Sequence, residues 1–255
     1  DLLHSGENLD ICRKTAESLD FTLNLGSMGV KAYTFSSSKP SEVVSADGVH
    51  VGLVGLLWNS EKDIIGLDVK DLYFGKPKRG KLPEFVRGNI TEALKTQFTC
   101  RTLVGKVAGV FDPLGLVTPI SAKFKLNLHE LNIYELDWDD QVPEKLLDRW
   151  VRNIESIQEL KSIRFQRTII PPGAVSTEVD LIVSVDASEN IAISAVHSRV
   201  LCRDGSYKCQ LICAKSKIVS TATIPRAELK ACVVGSVLAH TVKSNLGEQF
   251  KSAIY

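Results

Sequence analysis

Between residues 8 and 25 the apolar positions Leu9, Cys12, Ala16, Leu19 and Leu23 fall three or four apart, the repeat of one face of an α-helix. Gly26 and Gly29 follow and are expected to close it, because glycine tolerates the positive φ of a helix C-terminus. Lys31 to Phe35 reads as extended, and Ser36-Ser37-Ser38-Lys39-Pro40 as a polar break. Val49 to Trp58 and Asp63 to Phe74 then read as a hairpin over the turn Asn59-Ser60-Glu61-Lys62.

The middle of the chain changes period. Gly75 to Gly88 carries Pro77, Pro83 and a run of cations (Lys76, Lys78, Arg79, Lys81, Arg87) and reads as an exposed connector, with phosphate contact as the second reading. Leu103, Val107 and Val110 then mark a buried helical stripe, ended by Asp112-Pro113-Leu114-Gly115. Thr118-Pro119 has the chemistry of an N-cap and first helical residue, for a helix reaching about Leu131. Pro143 opens another, whose apolar face is Leu147, Trp150, Val151, Ile154 and Ile157.

Ile169-Ile170-Pro171-Pro172-Gly173 reads as a domain boundary, and beyond it the period is two. Val179, Leu181, Val183 and Val185 alternate with Asp180, Ile182, Ser184 and Asp186. Ile191 to Val200 and Tyr207 to Lys215 supply two more strands, joined by a tight turn at Asp204-Gly205. Leu229, Val233 and Val237 then set the apolar face of a helix from Pro225 to about Asn245, ended by Gly247. Ser252 to Tyr255 would begin a fourth strand. Three antiparallel strands, a crossover helix and a strand returning parallel to the first make a mixed sheet.

Composition narrows the field. At 255 residues, 44% hydrophobic and 24% charged, the chain has the make-up of a globular protein with a sizeable core. A net charge of +1 gives no strong overall field for nucleic acid, so any such contact must be a local basic surface. The six cysteines have no framework spacing, which points to reduced thiols and an intracellular protein. No signal peptide or membrane span is visible. The chain opens on Asp1 rather than Met and stops inside an apparent strand, so both ends are expected to be cut from a longer polypeptide.

Two carboxylates stand out. Asp186 ends an apolar strand, and Glu228 sits in the first turn of the crossover helix. Singly, they read as a turn residue and as a charge suited to a helix N-terminus. Together they can converge on one side of the sheet, where oxygen ligands suit Mg²⁺ and a displacement at phosphorus. Asp139 and Asp140 read more simply as capping residues for the helix after Pro143 than as a metal pair. Cys202, Cys209 and Cys213 lack a paired C-x-x-C and read as strand packing rather than zinc ligands. No Asp-Thr-Gly or Asp-Ser-Gly occurs, so an aspartic-protease loop is absent from the chain.

The motifs in order resemble the polyprotein of BEL/Pao-type retrotransposons, from the end of the reverse transcriptase into RNase H. Gly55-Leu56-Leu57-Trp58-Asn59 looks like the strand after the polymerase site. Phe111-Asp112-Pro113-Leu114-Gly115-Leu116 with Thr118-Pro119 resembles the family's most recognisable signature. Leu136 to Asp140 with Pro143 and Trp150 resembles the helical segment after it. Val185-Asp186-Ala187-Ser188, Ala214-Lys215-Ser216 and Ile224-Pro225-Arg226-Ala227-Glu228-Leu229 resemble the RNase H part.

The resemblance implies an α+β chain in three parts: a polymerase palm remnant over 1–75, a helical thumb or connection over 76–173, and a truncated RNase H-like mixed sheet over 174–255. Asp186 and Glu228 would be the first two RNase H carboxylates and Mg²⁺ ligands, with a third on the strand starting at Ser252, beyond Tyr255. Asp1 would be the last carboxylate of the polymerase turn. The implied parent activities are DNA synthesis and Mg²⁺-dependent hydrolysis of RNA in RNA–DNA hybrids. The implied partners are such a hybrid and the remainder of the Pol polyprotein, with no membrane. The location would be a cytoplasmic particle or the nucleus. The rival readings are a non-catalytic, domesticated binding protein and, from the family's other name, a peptidase.

Overall fold

The computed structural model describes residues 3–4, 6, 8–37, 50–69, 99–219, 223–247 and 250–254. Asp1, the basic connector at 76–87 and the outer parts of the expected hairpin at Val49 and Phe74 lie outside them. Contacts group the chain into two units: residues 1–68 with 162–168, and residues 69–161 with 169–255.

In the first unit helix α1 (Leu9–Leu25) starts at Asn8, whose side chain accepts from Ile11 N at 3.0 Å. Cys12, Ala16, Leu19 and Leu23 are half-buried as expected, while Leu9 is exposed. Gly26 caps the helix with negative φ, and the left-handed residue is Ser27, at φ 57°. The expected hairpin is a three-strand meander, β1 (Val51–Leu53), β2 (Leu56–Asn59) and β3 (Ile64–Leu67). Its first strand is broken because Val54 and Gly55 both take positive φ and form a two-residue turn. Strand β4 (Phe165–Gln166) closes the sheet beside β3. Asp63 ties this unit together: it accepts from Trp58 Nε1 at 3.1 Å and takes a two-pronged ion pair from Arg167 at 2.6 and 3.0 Å.

Among the described residues the second unit holds four α-helices and a mixed sheet. Helix α2 (Cys100–Ala108) opens on a capping box between Thr99 and Thr102. Asp139 pairs with Arg101, at 2.8 and 3.1 Å, and the guanidinium lies 5.6 Å from the Trp138 ring. Asp140 accepts from Asp137 N at 2.9 Å. These aspartates therefore fasten their own turn and α2 instead of capping the next helix. Helix α3 (Thr118–Ile133) begins one residue earlier than expected, and Thr118 Oγ1 donates to Gly115 O at 2.7 Å rather than capping. Helix α4 (Glu144–Glu159) buries Leu146, Trp150, Ile154 and Ile157.

The sheet runs β7-β6-β5-β8, with β5 (Val179–Ala187), β6 (Ile191–Leu201), β7 (Tyr207–Ile218) and β8 (Phe250–Ile254). The first three pair antiparallel and β8 pairs parallel to β5, the topology expected from the sequence. Helix α5 (Ile224–Leu246) lies over β5 and β6. Val179, Leu181, Val183, Val196 and Val200 form the core under it with Ala239, Val242 and Phe250. Ile169 and Ile170 pack against the same core, so the proline-rich segment is no gap in packing.

The contact face of α5 differs from expectation. Leu229, Val233 and Val237 are 65%, 57% and 60% exposed, while Ala227, Ala231, Gly235 and Ala239 are buried. The steps of four were read correctly, but two parallel stripes share that period. The small residues won the inner face because they let the helix approach the sheet closely. A Cβ on Gly235 would stand 2.6 Å from Val185 Cγ1 and 3.0 Å from Val183 Cγ1.

The Phe111–Leu116 signature also has a physical role. The Asp112 carboxylate accepts from Leu116 N and Val117 N, both at 2.9 Å, which fixes the loop ahead of α3. That loop lies along β7: Ala214 N donates to Leu114 O at 2.9 Å. Lys125 Nζ adds bonds to Ser216 O at 3.0 Å and Ser216 Oγ at 2.8 Å. An otherwise open sheet edge is thereby covered.

Candidate functional site

Alternation along β5 decides where Asp186 points. Val183 and Val185 face α5, and Ala187 packs toward Ala192, Val219, Ala227 and Ala231 of a small apolar cluster. Asp186, between Val185 and Ala187, leaves from the opposite face, opposite Ile193 in register. Its carboxylate is exposed and accepts from Ala187 N at 2.8 Å. Glu228 is exposed on the first turns of α5, next to the buried Ala227. Each carboxylate thus neighbours a residue of the same cluster, and both come to the same end of the sheet. Strand alternation alone assigns Asp186 to the face of β5 away from Val185.

Strand β8 lies beside the first half of β5. Among the described residues, β5 pairs with β8 only as far as Ile182 opposite Ile254. From Val183 to Ala187 it has no strand on that side, and Ser184, Val185 and Asp186 are exposed there. Helix α5 runs antiparallel to β5, its start at Ala187 and its end at Val179 and Phe250. With the usual right-handed return to β8, Glu228 falls on the flank of α5 toward β8, and Arg226 and Lys230 on the flank toward β7. Asp186 and Glu228 thus both stand at the end of the sheet where α5 begins, each beside a member of the cluster that holds Ala187 and Ala227.

The donor chemistry of this pair suits a hard divalent cation: two exposed carboxylates with room for water. Among the described residues no group of three or more His, Cys, Asp or Glu side chains is arranged to hold a metal ion. All six cysteines carry free thiols, and burial raises the pKa of Cys213. Among the described residues no helix is long and apolar enough to cross a membrane.

A group that sequence reasoning missed lies on the other flank. Lys215 and Lys217 of β7 oppose Ser194 and Ala192, in the rows of Val185 and Ala187. Ser194 Oγ donates to Ala231 O at 2.8 Å, which seats the second turn of α5 over the first of these rows. The signal was present in the sequence as Lys215-Ser216-Lys217, two cations at the strand period.

A mixed sheet with three antiparallel strands, a crossover helix and a parallel return, carrying an acidic residue on the first strand and another at the helix start, is the ground plan of the RNase H-like class. Residues 99–255 match the family model described as the Pao retrotransposon-like RNaseH-like domain, and the chain belongs to that family. It is accordingly a Pao-type retrotransposon Pol region. No curated protein matches the chain at a significant level.

Proposed function

We propose that this chain binds RNA–DNA hybrid and that Asp186 and Glu228 hold Mg²⁺ against the scissile phosphodiester of the RNA strand. The observation that carries the reading is that both carboxylates stand at the end of the sheet where α5 begins, beside Ala187 and Ala227 of one apolar cluster, within a domain of this family. When bound, the ion would supply charge stabilisation at the phosphorus and an activated water. The chain's own residues do the positioning. Ala187 N fixes one oxygen of Asp186, the Ala227 packing fixes the base of Glu228, and both carboxylates are exposed to an approaching backbone.

With two carboxylates, affinity for the ion is low, and this chain by itself is expected to bind hybrid without cleaving it. In this reading residues 1–75 derive from a polymerase palm and 76–173 from a thumb or connection, with Asp1 as the last polymerase carboxylate. Hydrolysis then belongs to the whole Pol protein. The test is a hybrid-binding titration with and without Mg²⁺. Mg²⁺ is expected to strengthen binding, and Asp186→Asn or Glu228→Gln to remove that gain. Failure of the unmodified chain to bind hybrid would overturn the reading. Mg²⁺-dependent cleavage abolished by Asp186→Asn would show that a further ligand completes the site.

A further inference from the structure

We infer that Lys215 and Lys217, with Arg226 and Lys230 beside them, form a track for the sugar–phosphate backbone of the duplex bound at Asp186 and Glu228. The inference rests on the function proposed above and specifies the surface by which the partner is held.

Lys215 and Lys217 project from β7 on the side of the sheet that carries α5, two residues and so about 7 Å apart. Arg226 and Lys230, four residues apart, stand on the flank of α5 that faces β7. All four are exposed, and none makes an ion pair among the described residues. At the sheet edge the Asp112 carboxylate is occupied by Leu116 N and Val117 N. Lys125 is held on Ser216, which lies between the two lysines in sequence, at the edge of β7. Its pKa is lowered by burial and then by repulsion from Lys215, while Asp112 pulls it upward.

A chain with net charge +1 that gathers four exposed cations here, none in an ion pair among the described residues, has a local field its total charge conceals. The patch and Glu228 lie on opposite flanks of the first turns of α5. A duplex crossing that helix start would therefore place one strand over the cations and the other at the carboxylates. A polyanion with regularly spaced charges fits this arrangement, and a small anion would use only part of it.

The salt dependence of hybrid binding tests the inference. Fluorescence anisotropy of a labelled RNA–DNA hybrid, in EDTA, is followed as KCl rises from about 50 to 200 mM, the range over which counterion release dominates. In Lys215→Gln/Lys217→Gln the slope of log K against log salt is expected to become shallower by about 0.9 per lost phosphate contact, about 2 for the pair. Lys208→Gln, on the same strand but opposite Val200, is expected to leave the slope unchanged. Urea midpoints equal to that of the unmodified chain confirm that the exposed substitutions leave folding alone. An unchanged slope in the double variant, with hybrid still bound, would overturn the track while leaving the function standing. So would an equal loss in Lys208→Gln, which would mean that only total charge matters. No binding by the unmodified chain would overturn both.

Discussion

Gly115 touches the backbone of Ala214: a Cβ on Gly115 would stand 1.8 Å from the Ala214 carbonyl oxygen, and Gly115 has φ 71°. The best-marked motif of the sequence is thus a docking element, through which the loop ahead of α3 closes the edge of β7. Gly115→Ala is expected to lower stability by about 2–4 kcal/mol, since both the conformation and the close approach are lost. Urea unfolding measures it. A change below about 0.5 kcal/mol would mean that the loop does not sit on β7 in solution.

Helix α5 offers two stripes, and mutation distinguishes them. Gly235→Ala drives a methyl into Val183 and Val185 and is expected to cost about 1–3 kcal/mol. Val233→Ser, on the exposed stripe, is expected to stay within about 0.5 kcal/mol of the unmodified chain. Reversed sizes in chemical unfolding would turn the helix around.

Most of the second unit was legible because hydrophobic period and strand topology are local signals. Strands β5 to β8, their order and their directions all follow from alternation and turn residues. What was not legible depended on size and register between elements. The inner face of α5 is chosen by how closely Ala231 and Gly235 approach the sheet, and that is invisible in hydrophobicity alone. The face of Asp186 followed from the same alternation that marked the strand, once Val185 was seen to lie beneath the helix. The split at Val54-Gly55 was missed because Val54 is a poor residue for positive φ and gives no turn signal. Lys215 and Lys217 are two cations in a mostly apolar and neutral strand, a weaker signal than the run of cations at 76–87.

In the first unit, Asp63 joins Trp58 to Arg167 and itself has φ 52°. Asp63→Asn keeps a residue that tolerates this conformation and removes the charge, at an expected cost of about 1–2 kcal/mol. Asp63→Ala adds backbone strain and is expected to cost more. Thermal unfolding of both variants gives the order, and equal midpoints would mean that the ion pair and the backbone matter little.

His197 opposes Ile182 in the sheet, and burial lowers its pKa from 6.5. A lowered pKa means that the unfolded chain takes up the proton first as pH falls. The stability of the neutral ring is therefore complete above about pH 6.5 and is lost as pH drops through the folded value. Urea midpoints between pH 7.5 and pH 5 are expected to decline, and His197→Gln to flatten the decline. A parallel decline in the variant would assign it to other groups.

The most direct measurement of the site uses Mn²⁺ in place of Mg²⁺ on the isotopically labelled chain, read by paramagnetic broadening of backbone amides. If Asp186 and Glu228 share one ion at the edge of β5, amides beside both, at Ala187 and Ser188 and at Ala227 and Leu229, broaden together at low Mn²⁺. Asp186→Asn then relieves both groups at once. Broadening at one carboxylate alone, or broadening of the α5 amides that persists in Asp186→Asn, would contradict a shared metal site.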